Sequence, residues 1–302
     1  MNNIAIKQNE PKQLERLSAQ RELYSSAKKY HGFQISFVVF LPIILSFVTI
    51  QYSNLVQFAA AYGVIIALVD LLFFDEKIKF KKGKAAKIQE LFDCDVLQME
   101  VSPLKTIDEI TIEEILIHYD AHKKIATNVE KIRNWYPQSV SDIPISMARV
   151  ICQRANCTWD TKLRESYIEI LRAFSILILA GVIIYSLFKD LKFIDFVLLG
   201  STLLPFFQFC IKQNLEQKDA IKRLTELFKY SNDLWVAIIN KSKNNEQLTE
   251  TSRRLQDEIF EHRSKTPLIL DFFYNRVRTK DEGVLIRTTD SLINELREKG
   301  IV

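Results

Sequence analysis

Two long uncharged stretches interrupt a chain that is otherwise dense in Lys, Arg, Asp and Glu. Between residues 33 and 74 the only formal charge is Asp70. A helix crosses the hydrocarbon layer with about 20 residues at about 1.5 Å rise each, so this run holds two crossings. Gln51, Tyr52, Ser53 and Asn54 mark a tight turn between them. The second stretch repeats the design. Residues 173–188 are apolar apart from Ser175, Tyr185 and Ser186, residues 193–211 carry only Asp195, and Lys189, Asp190 and Lys192 supply the turn. Helical hairpins buried in a water-soluble core would alternate polar and apolar faces, and these do not. The pattern predicts an all-α membrane protein with four transmembrane helices in two hairpins and a helical cytoplasmic domain. Its expected divisions are an N-terminal helix (1–32), hairpin 1 (33–74), a central helical segment (75–172), hairpin 2 (173–211) and a C-terminal helical segment (212–302).

The water-exposed parts carry helical patterns of their own. Leu14, Leu17, Leu23 and Tyr24 lie among good helix formers and lead toward the first span, and residues 76–92 read as a continuation of the second. Thr111 with Glu114 has the spacing of a capping box, opening a helix that carries Ile115, Leu116, Tyr119, Ile125, Val129 and Ile132 and ends by Pro137. Residues 143–156 form a further helix, and 160–172 lead into the third span. After the fourth span, Ile221, Leu224, Phe228, Trp235 and Ile238 form a seam, which Leu248, Leu255 and Ile259 resume beyond Asn244 and Asn245. About two heptads per block are too few for a coiled coil, so the seam is expected to pack on the central segment.

Composition sharpens this picture. Seven Gly and seven Pro in 302 residues argue against a β-rich or loop-rich fold. The net charge of +4 is too mild to imply a nucleic acid polymer as partner. Its distribution matters more, because Lys77, Lys79, Lys81, Lys82, Lys84 and Lys87 follow the second span directly, while the first hairpin turn has no basic residue. By the positive-inside rule the leader, the central segment and the tail lie in the cytoplasm and the spans in the inner (cell) membrane. The lysine cluster reads as a topology signal touching anionic headgroups. The leader is not a removed signal peptide, since no small-residue cleavage site follows its apolar segment. Cys94, Cys152, Cys157 and Cys210 lack metal-ligand spacing and read as reduced thiols.

Inside the membrane the polar residues are few. Ala60, Gly63, Ala67 and Asp70 share a face of the second span and suit close helix packing, with Asp70 near enough to the cytoplasm to reach water or a lysine. Ser201, Pro205, Gln208 and Lys212 recur along one stripe of the fourth, which reads either as the lining of an aqueous path or as a Pro-bent packing face. There is no Gly-rich phosphate loop, no GxSxG and no ligand-spaced His/Cys/carboxylate set, so neither an enzyme nor a cofactor is expected. His118 and His122 stand one helical turn apart without a third ligand, so no metal site is assigned.

Several short strings occur in a fixed order around the two hairpins. They include Asn2-Asn3-Ile4-Ala5-Ile6-Lys7-Gln8-Asn9 and Leu17-Ser18-Ala19-Gln20-Arg21-Glu22-Leu23-Tyr24, then Trp135-Tyr136-Pro137 and Cys152-Gln153-Arg154-Ala155-Asn156-Cys157-Thr158-Trp159-Asp160. Leu255-Gln256-Asp257-Glu258-Ile259-Phe260-Glu261-His262-Arg263 and Phe273-Tyr274-Asn275-Arg276-Val277-Arg278 complete the set. Together they resemble the SMODS-associating four-transmembrane effector family of bacterial anti-phage systems, over nearly the whole chain. The resemblance implies a pore-forming effector, encoded beside an enzyme that makes cyclic nucleotide signals, which breaches the inner membrane and arrests or kills the host cell.

The side chains are compatible with an anionic nucleotide, which needs Arg or Lys for phosphate and aromatic or amide groups for bases. Gln153, Arg154, Asn156, Trp159 and Arg164 form one candidate group, and Arg263, Tyr274, Arg276 and Arg278 a second. The alternative for each is a structural tie within the helical core, and Trp135 and Trp159 read as core residues. Ser201, Gln208 and Lys212 are the candidate pore-lining residues. Four close-packed helices enclose no lumen, so a pore requires a homo-oligomer. Three function classes stand open, in this order: a membrane-permeabilising effector, a membrane-anchored sensor or scaffold without pore activity, and a membrane enzyme with an unrecognised site.

Overall fold

The computed structural model describes residues 1–102, 110–157, 161–269 and 271–302, the side chains of residues 126, 162, 271–282 and 285 excepted. Among these residues the chain is helical without a strand: α1 (Ile4–Lys7), α2 (Pro11–Ile35), α3 (Leu41–Gln51), α4 (Val56–Val69), α5 (Asp75–Val96), α6 (Ile112–His122), α7 (Ala126–Glu130), α8 (Ile145–Cys157), α9 (Thr161–Phe188), α10 (Phe193–Ile239), α11 (Asn245–Lys265) and α12 (Asp271–Glu298). Two π-helical turns, Ser36–Phe40 and Asp70–Phe74, join α2 to α3 and α4 to α5 without a break in direction. Four helices are therefore long and apolar enough to cross a membrane: Pro11–Gln51, Ser53–Val96, Leu163–Phe188 and Phe193–Ile239. The 47 residues of α10 span about 70 Å at 1.5 Å per residue, roughly twice the hydrocarbon thickness. Each of the long helices thus carries an apolar span and a more polar stalk in one piece.

Helix α10 is the axis of the apolar part, packing on α3, α4 and α9. It approaches α4 closely because Gly63 has no side chain: a Cβ there would stand 2.3 Å from the Ser201 carbonyl oxygen. The third span is the outlier. None of its apolar window is buried within the chain, against 39%, 33% and 39% for the other three in order. The larger core lies in the stalk region, where Ile4, Leu17, Phe92, Tyr136, Ile151, Trp235, Leu255 and Leu296 form one cluster across α1, α2, α5, α8, α10, α11 and α12. Of the expected seam of α10 and α11, Trp235, Ile238, Leu248, Leu255 and Ile259 pack there beside Leu227 and Leu234, Leu224 is buried outside that cluster, Ile221 is half-buried and Phe228 is exposed. Asn244 opens α11 with a reciprocal capping box to Gln247.

One expectation is corrected. The helix opened by Thr111 does start there, with Thr111 Oγ1 accepting from the Glu114 N–H at 3.2 Å, but α6 stops at His122 rather than running to Ile132. Ile125 turns extended, and the Asn128 amide takes the His122 carbonyl at 3.2 Å, a side-chain competitor for the backbone bond that would have continued the helix. The lysine cluster after the second span divides between faces of α5. Lys77 and Lys79 are exposed, but Lys84 pairs with Glu114 at 2.6 Å and Lys82 falls on the buried stripe of α5 with Ile78, Ala85, Ala86 and Gln89. Helical periodicity, not local composition, decides which lysines face outward.

Candidate functional site

Polar side chains gather at two levels of the stalks. The upper level lies where the spans leave the apolar region. Gln34 is its hub: its amide donates to Asp70 at 2.6 Å and to Asp75 at 3.1 Å, and its oxygen lies 2.8 Å from His31 Nδ1. Asp75 is also paired with Lys212 of α10. Gln34, His31 and Asp70 are each buried to at least 97%. Both π turns occur at this level. A π turn leaves a carbonyl without its usual helical donor, and Tyr62 Oη donates to that of Phe37 at 2.7 Å. Hairpin 1 is thus tied to the fourth span through two carboxylates, an amide and a lysine. No such assembly was expected from the spans alone, because its members come from residues 31, 34, 70, 75 and 212.

The lower level is an ionic core. Glu90 and Asp93 of α5 have no exposed side-chain surface. Arg263 holds Asp93 at 2.5 Å, Arg253 holds Glu90 at 2.5 Å, and the Gln256 amide donates to both carboxylates at 2.8 and 2.9 Å. Tyr136 Oη donates to the other oxygen of Asp93 at 2.7 Å. Burial works against the Arg263 charge, but Asp93 and Tyr136 outweigh it and raise the guanidinium above its ordinary value. Burial, then Asp93, push the Tyr136 phenol and the Cys152 thiol well above theirs. The Cys94 thiol is driven to about 12 by burial and by Glu90. These cysteines are free, buried and far from the thiolate form that chemistry would need.

This core receives several of the sequence candidates. The Gln153 amide donates to the Ser252 carbonyl at 2.8 Å and to Gln256 Oε1 at 3.2 Å, and Ser252 Oγ donates back to Gln153 Oε1 at 2.8 Å. Asn156 donates to Tyr136 Oη at 3.3 Å, and Arg154 lies 5.3 Å over the Phe228 ring. The N-terminal and Trp-Tyr-Pro strings meet here too: Gln8 exchanges two hydrogen bonds with the Tyr136 backbone, at 2.7 and 3.0 Å. Trp135 is half-buried, edge-on to Phe92 and under Arg21 at 5.2 Å. Trp159 lies outside the described residues, as do the side chains of Tyr274, Arg276 and Arg278.

Arg164 stands apart. It donates to Gln217 Oε1 at 2.5 Å and to the Pro267 carbonyl at 3.2 Å, in the segment between α11 and α12. Of the pore candidates, Ser201 turns its hydroxyl to the Val197 carbonyl at 2.8 Å, Gln208 is half-buried and Lys212 is in the upper cluster. His118 and His122 sit half-buried on α6, their imidazoles lowered first by burial, and no group of three or more His, Cys, Asp or Glu gathers for a metal among the described residues. Sequence reasoning missed Glu90, Asp93, Gln256 and Tyr136. The available signal was position: Glu90 and Asp93 occupy the same helical stripe as Ala86, Gln89 and Phe92, where an exposed acid would not fall.

Comparison with known proteins adds a family. The model for the SMODS-associating 4TM effector domain matches residues 2–292. A protein of Bacillus cereus (strain VD146) named "probable CBASS effector molecule" is 25% identical over 288 residues, which cover 93% of this chain and 95% of that protein. No solved structure matches.

Proposed function

The chain belongs to the SMODS-associating 4TM effector family, and from that premise we propose that it is an anti-phage effector of the bacterial inner membrane that permeabilises the bilayer when a cyclic nucleotide reaches its cytoplasmic core. The observation that carries this reading is the continuity of span and stalk. Pro11–Gln51, Ser53–Val96 and Phe193–Ile239 each run from the apolar region into the hydrophobic core of the stalk region, and Ser53–Val96 also carries Glu90 and Asp93 of the ionic core. A rearrangement of Glu90, Asp93, Arg253 and Arg263 therefore moves rigid rods that end in the membrane.

The spans of one chain are filled by their own side chains, with Phe206 and Phe209 fully buried among them, so the conducting form is a homo-oligomer. The uncovered third span offers lipid-facing surface on which copies meet. Four crossings leave both termini on one side in this reading, and the exposed Lys77 and Lys79 beside the second span support taking that side as the cytoplasmic one. The named relative supports the defence role.

The test is induced expression in bacteria with membrane-potential and propidium readouts, with and without a co-expressed cyclic nucleotide synthase. Depolarisation and dye entry that depend on the synthase are expected. A membrane-resident protein that leaves potential and dye exclusion unchanged under every synthase tried overturns the reading and leaves a sensor or scaffold.

A further inference from the structure

Residues 134–143 lie between α7 and α8 without an α-helix of their own, with one short 3₁₀ turn at Gln138–Asp142. Main-chain groups in such a stretch need partners from elsewhere in the chain. Residues 2–9 supply them. The Asn2 side-chain amide donates to the carbonyls of Val140 and Ile143, each at 2.8 Å, and the Asn2 N–H donates to that of Ser141 at 3.0 Å. Gln8 takes both the N–H and the carbonyl of Tyr136, and Asn9 Oδ1 accepts from the Asn134 N–H at 3.1 Å. Asn134 stands there in the left-handed region, at φ 53°, which Asn tolerates better than most residues.

The consequence reaches the ionic core. Tyr136 stacks on Phe92 with ring centroids 6.1 Å apart, and its hydroxyl is a donor to Asp93. Asp93 in turn receives Arg263 and Gln256 of α11. Gln8 therefore positions the main chain of a residue that completes the shell of a buried carboxylate. On its other side the segment passes through Asn9 and the extended Glu10 into Pro11, where the rod that carries the first span begins. One short segment thus joins that rod to the ionic core. It is also lightly built. Ile4 is its one fully buried apolar side chain, Ile6 is 73% exposed, and its hydrogen bonds to 134–143 run between neutral groups. Segments that bury little apolar area open at lower free energy than the core beside them.

We infer that residues 2–9 are a resting-state latch. Seated on 134–143, they keep Tyr136 on Asp93 and tie the first-span rod to the central segment, and their release precedes opening. The inference rests on the reading of the protein as a gated effector and adds the contact that breaks first. Neutral hydrogen bonds suit that task, because water replaces them at small net cost when the segment leaves, whereas a buried charge stripped of its partner is costly. The pivot is the turn at Asn9 and Glu10, and the event that it permits is a loosening of Tyr136. Asp93, Arg263 and Gln256 can then rearrange while the rest of the stalk core stays packed.

The experiment uses the full chain in dye-loaded liposomes and in lipid nanodiscs. The Ala5 N–H lies 3.0 Å from Ser141 Oγ, so Ala5→Cys with Ser141→Cys sets two thiols where a disulfide locks the latch shut. The four native cysteines are buried and stay out of that reaction. The probes are a panel of 3′,5′-linked cyclic di- and trinucleotides. The reduced double variant is expected to release dye with the nucleotide that opens the wild type, the oxidised one to stay closed, and dithiothreitol to restore release. Gln8→Ala should raise basal release by about tenfold, the worth of its two bonds to Tyr136. Asn2→Ala serves where that variant does not fold. A fully oxidised protein that opens as readily as the reduced one overturns the latch and leaves the gated-effector reading intact. If no nucleotide opens any of these proteins, that reading falls, and amide hydrogen exchange in nanodiscs decides the latch. Faster exchange in Gln8→Ala confined to 2–9, 134–143 and 256–263, with α10 protected as before, supports it. Exchange raised evenly through α10, or unchanged at 256–263, overturns it.

Discussion

The carbonyl of Ser201 lies against Gly63 so closely that a methyl group there would stand 2.3 Å from its oxygen. The relation follows from Pro205, four residues further along α10, which has no N–H to give to the Ser201 carbonyl. The freed oxygen faces the one position of α4 that carries no side chain. Gly63→Ala forces the two spans apart by pushing backbone against side chain, an overpacking that costs about 1–3 kcal/mol. The expected outcome is a lower unfolding midpoint in nanodiscs with the same secondary structure. Gly181→Ala in the third span, where a Cβ meets nothing within 4 Å, should leave the midpoint unchanged. Equal midpoints for the two variants would show that the Gly63 contact is not a tight one.

Arg263 and Asp93 form the second relationship on which the domain depends. Asp93 has no exposed side-chain surface and receives Arg263, Gln256 and Tyr136. Removing the cation leaves a buried carboxylate short of its charge partner, a loss of about 3–5 kcal/mol in comparable buried pairs. Arg263→Met alone should therefore destabilise the stalk region severely. Arg263→Met combined with Asp93→Asn should recover much of the loss, because the stranded charge is gone. A double variant as unstable as the single one would place the defect in packing rather than electrostatics.

How much of this was legible in the sequence depends on distance along the chain. The spans, their hairpins and the entry of α2 into the first span follow from uninterrupted apolar length and from Leu14, Leu17, Leu23 and Tyr24 among good helix formers, both local properties. The α10 seam was legible in part by its period: Trp235 and Ile238 pack in the stalk-region core, but Phe228 is exposed and Leu227 and Leu234 fill the buried positions instead. The partner of each buried polar group was not. Arg263 and Asp93 are 170 residues apart, and Lys82 and Thr266 are 184 apart, so no window of sequence contains both. The lysine run after the second span shows the same limit in reverse. Local composition shows only a dense run of lysines, and it is the helical turn that sends Lys82 inward and Lys77 and Lys79 outward. The π turns at Ser36–Phe40 and Asp70–Phe74 have no compositional mark at all.

The Asp75–Lys212 pair predicts a gain of activity. It joins hairpin 1 to the fourth span at the level where Gln34 bridges Asp70 and Asp75. Lys212→Met strands Asp75 in a nearly dry setting and weakens the tie between the two hairpins, which should raise basal dye release in liposomes without any signal. Adding Asp75→Asn to that variant should return leakage toward the wild-type level. A Lys212→Met protein that is folded and as tight as wild type would show that this pair does not hold the resting state.

His262 gives the stalk region a defined acid sensitivity. It is 8% exposed on α11, its ring within 3.1 Å of Thr266 Oγ1. Burial, then Arg164, Arg223 and Arg263, lower its pKa from 6.5 to about 3, so the folded protein keeps it neutral across that window. The unfolded chain, by contrast, takes up a proton below about 6.5. Below that pH the unfolded state holds more protons than the native one, so stability falls as the pH falls, by at most about 1.4 kcal/mol per unit from this residue, until the pH nears 3. Buried carboxylates add slopes of their own, which makes the comparison with a variant decisive. His262→Gln keeps a polar group near Thr266 but cannot take the proton, and its unfolding free energy between pH 7 and 4.5 should decline less steeply than that of the wild type, by about one proton in linkage units. The same slope in both proteins would mean that His262 is charged in the folded state, and that the cationic ring of Arg164, Arg223 and Arg263 around it is screened.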